Sequence, residues 1–266
     1  MKISVIIPTY RPGEYMRECI ESLVGQTLSH ADFEVLVVLN GCREPFYEQL
    51  SQWLGQTDLQ WRLIQTDQPG VSHARNMGLR HSQGKYVAFL DDDDWVSPGY
   101  LEQLLEVSDE ESIGVALVQT YDEKTHALGS DYLTRAYRRL GGRREVSLLR
   151  GRTFMSSCCC KLIPMSVIGS RIFVEQLSQG EDAFFMTTIS DGVRCIRRAG
   201  DEAVYYRRLR HGSASRSRGG LLKRVAHAFR IQHKYVKLYM SSPSTYSFRF
   251  FFTRLVGTWM VALFDV

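Results

Sequence analysis

Short apolar runs alternate with segments of helical periodicity through the first 120 residues, and this alternation limits the fold more than any other feature of the chain. A run of strand length followed by an amphipathic helix, repeated several times, is typical of βαβ units. We therefore expect an α/β fold with a doubly wound, mostly parallel sheet flanked by helices. The predicted strands are Ile3–Ile7, Phe33–Leu39, Trp61–Ile64, Tyr86–Leu90 and Val115–Gln119, and the predicted helices are Glu14–Val24, Pro45–Leu54, Ser72–His81 and Ser97–Val107.

The pattern changes after about Thr120. Residues 122–152 are polar and rich in arginine, and they predict an inserted loop-and-helix segment. Beyond it the periodicity predicts further helices and two short strands. These helices are Glu181–Ile189, Leu221–Tyr239 and Ser247–Phe264, and the strands are Val193–Ile196 and Val204–Arg207.

Composition fits one large domain with an appendage, because 266 residues with 44% hydrophobic side chains can bury a sizeable core. None of the six cysteines forms a C-x-x-C pair, which favours reduced thiols and a cytoplasmic protein. The chain enters a strand at Lys2–Ile7, so we expect no secretory signal. The longest uncharged apolar run, Leu255–Phe264, is about half of the ~20 residues that a spanning helix needs.

Four consecutive carboxylates, Asp91, Asp92, Asp93 and Asp94, follow the strand Tyr86–Leu90 directly. Adjacent acids repel one another, and a divalent cation offsets that repulsion. Carboxylate oxygens suit Mg²⁺ or Mn²⁺, and Mg²⁺ is commonly held by one or two carboxylates together with substrate phosphates. The alternative is a solvated acidic loop before the next helix, because Ser97-Pro98 is typical of a helix start and Asp94 could cap that helix.

Two other polar segments follow predicted strands. Pro8-Thr9-Tyr10 comes after the first strand and Asn40-Gly41-Cys42 after the second. In a doubly wound sheet such carboxyl ends line the crevice where ligands bind. The chain has neither G-x-G-x-x-G after its first strand nor a G-x-x-x-x-G-K-[ST] motif, which argues against a dinucleotide dehydrogenase and a P-loop NTPase.

Three further positions have chemistry that a phosphorylated ligand would use. Arg75, near a helix start, could meet a phosphate or a base edge, or be a surface arginine. Asp182 follows Glu181 at the start of a helix, where it could be a general base or an ordinary cap. His211 lies in an arginine-rich stretch and could ligate a metal or belong to a solvated basic loop.

Taken together, these segments resemble family 2 glycosyltransferases, which are inverting enzymes with the GT-A fold. The resemblance covers Lys2 to about Leu101, Lys161–Pro164, Leu177–Phe185 and His211–Ser215. It implies a GT-A catalytic domain at 1–218, with a nucleotide-sugar-binding half at 1–107 and an acceptor-side half at 108–218. Residues 219–266 would form a C-terminal helical extension.

The resemblance also implies a role for each site residue. The nucleotide-sugar-binding residues would be Pro8, Thr9, Tyr10, Asn40, Arg75, Asp91 and Asp92. Asp93 and His211 would be the metal residues, with Mn²⁺ or Mg²⁺ as cofactor, and Asp182 the catalytic base. Many relatives carry an acid where this chain has Asn40, and residues 120–160 match no pattern of the family.

The implied activity is transfer of a sugar from a nucleotide diphosphate sugar, of the UDP class, to an acceptor hydroxyl. The acceptor would be a saccharide or glycolipid of a cell-surface polysaccharide or glycolipid pathway. Alternatives are a sugar-phosphate nucleotidyltransferase, which should show a glycine-rich loop after the first strand, and a non-catalytic sugar-nucleotide-binding module. A nucleic-acid partner is not expected, because an acid tetrad in the cleft would oppose it.

The C-terminal segment is too apolar for a solvated helix. Eleven large apolar residues fall between Phe248 and Phe264, beside Arg249 and Arg254. We expect either peripheral association with the inner face of the cell membrane or packing on the catalytic domain or on the partner of a homodimer.

Overall fold

A computed structural model of the protein describes residues 1–177, 179–210 and 220–264. The strands of these ranges are β1 (Ile3–Thr9), β2 (Phe33–Asn40), β3 (Gln60–Thr66), β4 (Tyr86–Phe89), β5 (Trp95–Val96), β6 (Ser112–Val115), β7 (Leu117–Asp122), β8 (Leu128–Gly129), β9 (Glu145–Ser147), β10 (Lys161–Pro164), β11 (Cys195–Arg198) and β12 (Val204–Leu209). The helices are α1 (Glu14–Val24), α2 (Phe46–Gly55), α3 (Val71–His81), α4 (Tyr100–Val107), α5 (Tyr132–Leu140), α6 (Met165–Ile168), α7 (Glu181–Thr188), α8 (Leu221–Ser241) and α9 (Phe248–Phe264), with short 3-10 turns at Arg152–Ser156 and Ser190–Gly192.

The strands form two sheets. The large sheet has the order β3-β2-β1-β4-β10-β6-β11-β9, and the small sheet has the order β5-β12-β7-β8. Strands β1 to β4 are parallel, and β1 and β2 are buried along their whole length, which explains why they are mostly apolar. Two of their buried polar side chains, Ser4 and Glu34, are hydrogen-bonded to each other at 2.7 Å. The predicted α/β class with a large, mostly parallel sheet flanked by helices is confirmed. The carboxyl ends of β1, β2 and β4 meet at one edge, so Thr9, Asn40 and Asp91 lie there.

The predicted helix Ser97–Val107 is wrong in its first turn. Residues Trp95–Val96 form β5, which pairs with β12, and α4 begins only at Tyr100. The Ser97 hydroxyl donates to the Glu202 carbonyl at 2.6 Å and accepts from the Val204 N–H at 2.8 Å. Ser97 therefore joins this segment to the small sheet instead of starting a helix.

The predicted strand Val115–Gln119 is two strands in different sheets. The chain leaves the large sheet at Ala116, whose N–H donates to the Cys160 carbonyl at 3.1 Å. Strands β6 and β11 pair in parallel in the large sheet, and β7 and β12 continue as a parallel pair in the small sheet. Periodicity could not show this change, because the apolar run continues through it.

The arginine-rich segment contains α5 between the short strands β8 and β9. Asp131 caps α5, since its Oδ1 accepts from the N–H groups of Leu133 and Thr134 at 2.8 and 2.9 Å. The Thr134 hydroxyl donates to the Val118 carbonyl at 2.7 Å, and this bond fixes α5 on β7. The predicted loop-and-helix insertion is therefore an ordered part of the small sheet's surroundings.

The last two helices form an antiparallel pair that rests on α7. Tyr239 of α8 stacks on Phe251 of α9 with ring centroids 4.5 Å apart, and Phe229 meets Trp259 edge-on at 4.9 Å. A small apolar cluster joins the pair to α7 and consists of Leu177, Phe184, Ile231, Tyr235 and Phe251. In the described part of the chain, no helix combines the length and apolarity needed to cross a bilayer.

Candidate active site

Asp94, the last acid of the tetrad, is held by the small sheet. Its carboxylate is buried, accepting from the Tyr205 hydroxyl at 2.7 Å and from the Arg208 N–H at 2.8 Å. Helix α4 starts six positions later, so the expectation that Asp94 caps it is wrong. Asp94 instead fixes the end of the tetrad on β12.

Asp92 and Asp93 each have one carboxylate oxygen in contact with a neighbouring side chain. The Thr9 hydroxyl donates to Asp92 Oδ2 at 2.5 Å, and Arg210 Nη2 lies 2.6 Å from Asp93 Oδ2. Burial raises the pKa of Asp92 to about 6, although the Thr9 hydrogen bond opposes the shift. Burial and the charge of Asp91 also raise the pKa of Asp93. These two carboxyl groups would therefore gain from a nearby cation.

Arg75 joins the acid tetrad to the start of α7. Its side chain is almost fully buried, with Nη2 3.0 Å from Asp91 Oδ1 and Nη1 2.6 Å from Asp182 Oδ1. Glu181 Oε1 lies 3.6 Å from the same Nη1. Within the described ranges, the buried Nε of Arg75 has no hydrogen-bond partner. The residue predicted to line the nucleoside pocket thus contacts the residue predicted to be the base.

The local backbone places Glu181 and Asp182 in the first turn of α7, where the helix dipole favours carboxylates. Gly180 precedes them in the left-handed region, at φ 73°, and an added Cβ would lie 2.6 Å from Ile231 Cδ1 of α8. The left-handed backbone therefore favours glycine there, whereas Ile231 Cδ1 is the end of a flexible side chain that can move. Burial, and then the charge of Asp182, raise the pKa of Glu181.

A second support for Asp182 comes from the chain before β10. The Cys158 N–H donates to Asp182 Oδ2 at 3.1 Å. The Lys161 side chain is fully buried, and its ammonium donates to the carbonyls of Ser157 and Cys159 at 2.6 and 2.7 Å. Lys161 thereby ties together the loop that presents the Cys158 N–H. The sequence pattern predicts no function for Lys161, although a lysine between three cysteines and Leu-Ile-Pro indicates a buried charge.

The remaining predicted donor-site residues lie together at the ends of β1 and β2. Asn40 donates from Nδ2 to the Thr9 carbonyl at 2.7 Å, and its Oδ1 accepts from the Gly70 N–H at 2.9 Å. Pro8 is buried within β1, whereas Tyr10 is half exposed and would be 2.6 Å from a Cβ at Gly41. Asn40 therefore fixes the loop before α3 as well as facing the crevice edge.

Two of the arginines before position 211, Arg208 and Arg210, contact the tetrad, whereas Arg207 pairs with Asp131. Arg208 donates from Nε to the Asp93 carbonyl at 2.9 Å, and its guanidinium lies 4.8 Å from the Trp95 ring centroid. Arg208 also pairs with Glu18. His211 lies outside the described residues. Of these arginines, Arg210 pairs with a carboxylate of the tetrad, at Asp93.

The acids fit a metal that arrives with a phosphorylated ligand. Across the described ranges, no three His, Cys, Asp or Glu side chains converge on one point. Asp91 is 41% exposed at its side chain and Asp93 17%, and each uses one oxygen for an arginine. One or two carboxylates are the protein ligands that Mg²⁺ typically takes beside phosphate oxygens and water.

Comparison with known proteins adds a family and a fold. The model of the family described as "Glycosyl transferase family 2" matches residues 4–170 of the chain. Glycosyltransferase GlyA of Streptococcus pneumoniae is 32% identical over 143 residues, which are 51% of this chain and 20% of GlyA. The poly(ribitol-phosphate) beta-N-acetylglucosaminyltransferase TarS of Staphylococcus aureus is 25% identical over 214 residues, which are 80% of this chain and 36% of TarS. The chain spans well under two thirds of the length of these relatives.

A solved structure of S. aureus TarS has the same fold. The TarS 1–349 complex with UDP-GlcNAc matches with a TM-score of 0.67 and 22% identity, covering all of this chain and 80% of that one. A second complex of TarS, with UDP, matches with the same TM-score over 89% of this chain. The GT-A type of fold expected from the sequence is thereby confirmed.

Proposed function

The chain belongs to glycosyl transferase family 2, and on that premise we propose that it moves a sugar from a UDP-sugar to an acceptor hydroxyl, with inversion. The observation that carries the proposal is the Arg75 bridge between Asp91 and Asp182. Asp91 lies at the carboxyl end of a parallel strand, where α/β folds bind nucleotides. Asp182 comes from a distant helix and lies one guanidinium away. Such proximity is what a base opposite a departing nucleoside diphosphate requires.

The base role of Asp182 is supported by its free acceptor capacity. An ionised carboxylate has about four acceptor sites, and the described contacts use two, one from Arg75 and one from the Cys158 N–H. The side chain is 20% exposed, so an acceptor hydroxyl can reach a remaining site. Arg75 and the Cys158 N–H fix the direction in which that site points. Asp182 would take the hydroxyl proton as the oxygen attacks the anomeric carbon.

We assign the metal to Asp93, with Asp91 and Asp92 toward the ribose and donor sugar, and with His211 from outside the described residues. Mn²⁺ or Mg²⁺, when bound, would neutralise charge on the departing diphosphate. Asp94 is not assigned to the metal, because both of its oxygens accept hydrogen bonds from β12. Thr9 and Arg210 hold Asp92 and Asp93 in place without blocking their second oxygens.

The donor and acceptor classes are supported by the relatives. TarS has been crystallised with UDP and with UDP-GlcNAc, which favours a uracil nucleotide here too. TarS is also named for action on a poly(ribitol-phosphate), which is a phosphate-containing polymer. We propose a saccharide or glycolipid acceptor in cell-surface polysaccharide synthesis. An anionic acceptor would suit the exposed arginines of α5 and the following turn, which are Arg135, Arg138, Arg139, Arg143 and Arg144.

A donor screen tests the proposal. Release of nucleoside diphosphate is measured for a panel of UDP-, GDP- and CDP-sugars, with Mn²⁺, with Mg²⁺ and with excess chelator, and diphosphate binding is measured by calorimetry. We expect release from a UDP-sugar only, loss on chelation and recovery with either metal. Stronger binding of GDP than of UDP would refute the proposal that the donor's nucleobase is uracil. A nucleotidyltransferase would instead need added pyrophosphate and would convert the UDP-sugar to UTP and sugar 1-phosphate. Full activity in metal-free protein would refute the metal role.

A further inference from the structure

The α8–α9 pair exposes a continuous apolar surface on the side away from α7. On α8 the exposed members recur at heptad-like spacing, so they fall on one stripe of the helix. A second stripe on α9 recurs every three or four residues. The members are Leu222, Phe229, Val236 and Met240 on α8, and Phe248, Phe252, Val256, Met260 and Leu263 on α9, each 40–85% exposed.

The two stripes form one surface, which we call the hairpin face. The Phe229 and Trp259 rings meet edge-on at 4.9 Å, and Trp259 Nε1 donates to Gln232 Oε1 at 2.7 Å across the helix pair. The opposite side of α8 carries Ala228, Ile231 and Tyr235, which are buried against the rest of the protein. Helix α8 therefore has two apolar sides: one is buried against the rest of the protein, and the other belongs to the exposed hairpin face.

Charge is distributed just as unevenly. No Asp or Glu occurs between Ala203 and Phe264, a stretch in which every charged side chain is Lys or Arg. Successive residues of a helix are rotated by about 100° around its axis. By this measure the basic residues of α8 nearest the apolar stripe lie about 80–140° around the axis from Phe229, and all of them lie on the side that α9 does not cover. These flanking residues are Lys223, Arg230, Lys234 and Lys237.

We infer that the hairpin face binds peripherally to a bilayer surface that contains anionic lipid. An apolar side with Phe and Trp, bordered by Lys and Arg, is the pattern of a helix that lies in the membrane interface. A second copy of this chain fits less well, because a symmetric contact would bring two cationic flanks together. An anionic lipid surface instead complements the cations while its acyl region takes the apolar side chains.

Vesicle flotation of the full chain tests the inference. Phosphatidylcholine vesicles are compared with vesicles that also contain phosphatidylglycerol, at low and high salt. We expect flotation only with the anionic vesicles, weakened by salt because screening reduces the attraction. Changing Lys223, Arg230, Lys234 and Lys237 together to Gln should weaken binding by about 10²-fold or more, since each cation near such a surface contributes about fivefold.

Matched variants distinguish binding through the hairpin face from binding through the protein's overall charge or through any exposed apolar side chain. The quadruple change of Arg135, Arg138, Arg139 and Arg143 to Gln removes the same charge elsewhere and should leave flotation unchanged. Phe229→Ser with Met240→Ser should abolish flotation, whereas Leu128→Ser with Ile172→Ser, also exposed apolar positions, should not.

Two outcomes would overturn the inference. The first is equal flotation, or none, for wild type and the hairpin-face variants. The second is a vesicle-free dimer, measured by light scattering, that Phe229→Ser with Met240→Ser converts to monomer in a protein that never floats. That result would assign the hairpin face to a second copy. Donor hydrolysis of each variant, measured without vesicles, reports whether the catalytic side still folds.

Discussion

Arg75 Nη1 lies 2.6 Å from Asp182 Oδ1, although 107 positions separate the two residues in the chain. The same guanidinium reaches Asp91 through its other terminal nitrogen. Burial alone would lower the pKa of Arg75, but Asp182 and Asp91 outweigh it and hold that pKa well above its usual range. Arg75 is thus a fixed cation shared by the acid tetrad and α7, so its replacement should affect both.

Arg75→Lys should lower turnover by roughly tenfold to a hundredfold, because an ammonium cannot hold two carboxylates in a fork and small misplacements are costly. Steady-state kinetics with an identified donor measure the effect. The matched control is Arg80→Lys, an exposed arginine on the same helix. Turnover near that of wild type would show that the bridge has no part in catalysis.

Asp182→Asn should lower turnover by ~10² to 10⁴, the usual contribution of a general base, while UDP-sugar binding stays near normal. An amide has one acceptor oxygen, so either Arg75 or the Cys158 N–H loses its partner in this variant. Glu181→Gln should reduce turnover less. Calorimetric titration beside kinetics distinguishes the cases: if donor binding is lost as well, Asp182 is a donor contact or a structural residue.

Asp94→Ala should lower the free energy of unfolding by about 1–3 kcal/mol, because it leaves the Tyr205 hydroxyl and the Arg208 N–H without their acceptor. Asp93→Ala should cost less stability, since its partner Arg210 is 35% exposed and can be hydrated. Activity should show the larger loss for Asp93→Ala, measured relative to folded protein. Urea unfolding of both variants checks the contrast, and equal midpoints for Asp94→Ala and wild type would contradict it.

Lys161→Met should lower turnover while donor binding is retained. The change keeps the volume of the side chain but frees the carbonyls of Ser157 and Cys159, so the Cys158 N–H loses its fixed direction toward Asp182. Removing one buried hydrogen-bonding partner should also cost about 1–3 kcal/mol of stability. A loss of stability with unchanged turnover of the folded fraction would make Lys161 purely structural.

Stability should fall with rising pH through a contribution from Glu181. Burial and the charge of Asp182 raise the pKa of Glu181 from 4.5 to about 7, so the folded state binds this proton more tightly than the unfolded chain. The contribution is fully present below about pH 4.5 and is lost as the pH rises through about 7. Glu181→Gln should flatten the pH dependence of unfolding in that window. The control Glu48→Gln, at an exposed position, should leave the pH dependence of unfolding unchanged. If Glu181→Gln has the same pH dependence as wild type, the raised pKa of Glu181 is refuted.

The sequence alone predicts the helices and strands whose hydrophobic periodicity agrees with the burial seen in the structure. Helix α1 has the predicted bounds because its buried residues recur at helical spacing. Strands β1 and β2 begin where predicted and extend two residues and one residue further, respectively, and both are mostly apolar. The tetrad was also correctly expected at a strand end, since an apolar run that stops at four acids leaves little choice. Local pattern alone fixes such elements.

Contacts between distant segments could not be predicted in this way. The burial of Asp94 depends on Tyr205 and Arg208, and the pairing of β5 depends on β12, more than 100 positions away. A helix start at Ser97-Pro98 was the better local interpretation, and the small sheet overrides it. The burial of Lys161 similarly requires the carbonyls of Ser157 and Cys159, which only the folded loop brings around its ammonium.

The outer position of β8 has a practical consequence. It is the edge strand of the small sheet, β7 separates it from β12, and residues 124–127 at the turn between β7 and β8 are exposed. Exposed turns between edge strands are the sites where proteins best accept foreign sequence. An affinity peptide or an immobilisation handle spliced at Lys124-Thr125 would therefore leave Tyr205 and the acids it supports undisturbed, and would give the enzyme a defined orientation on a solid support.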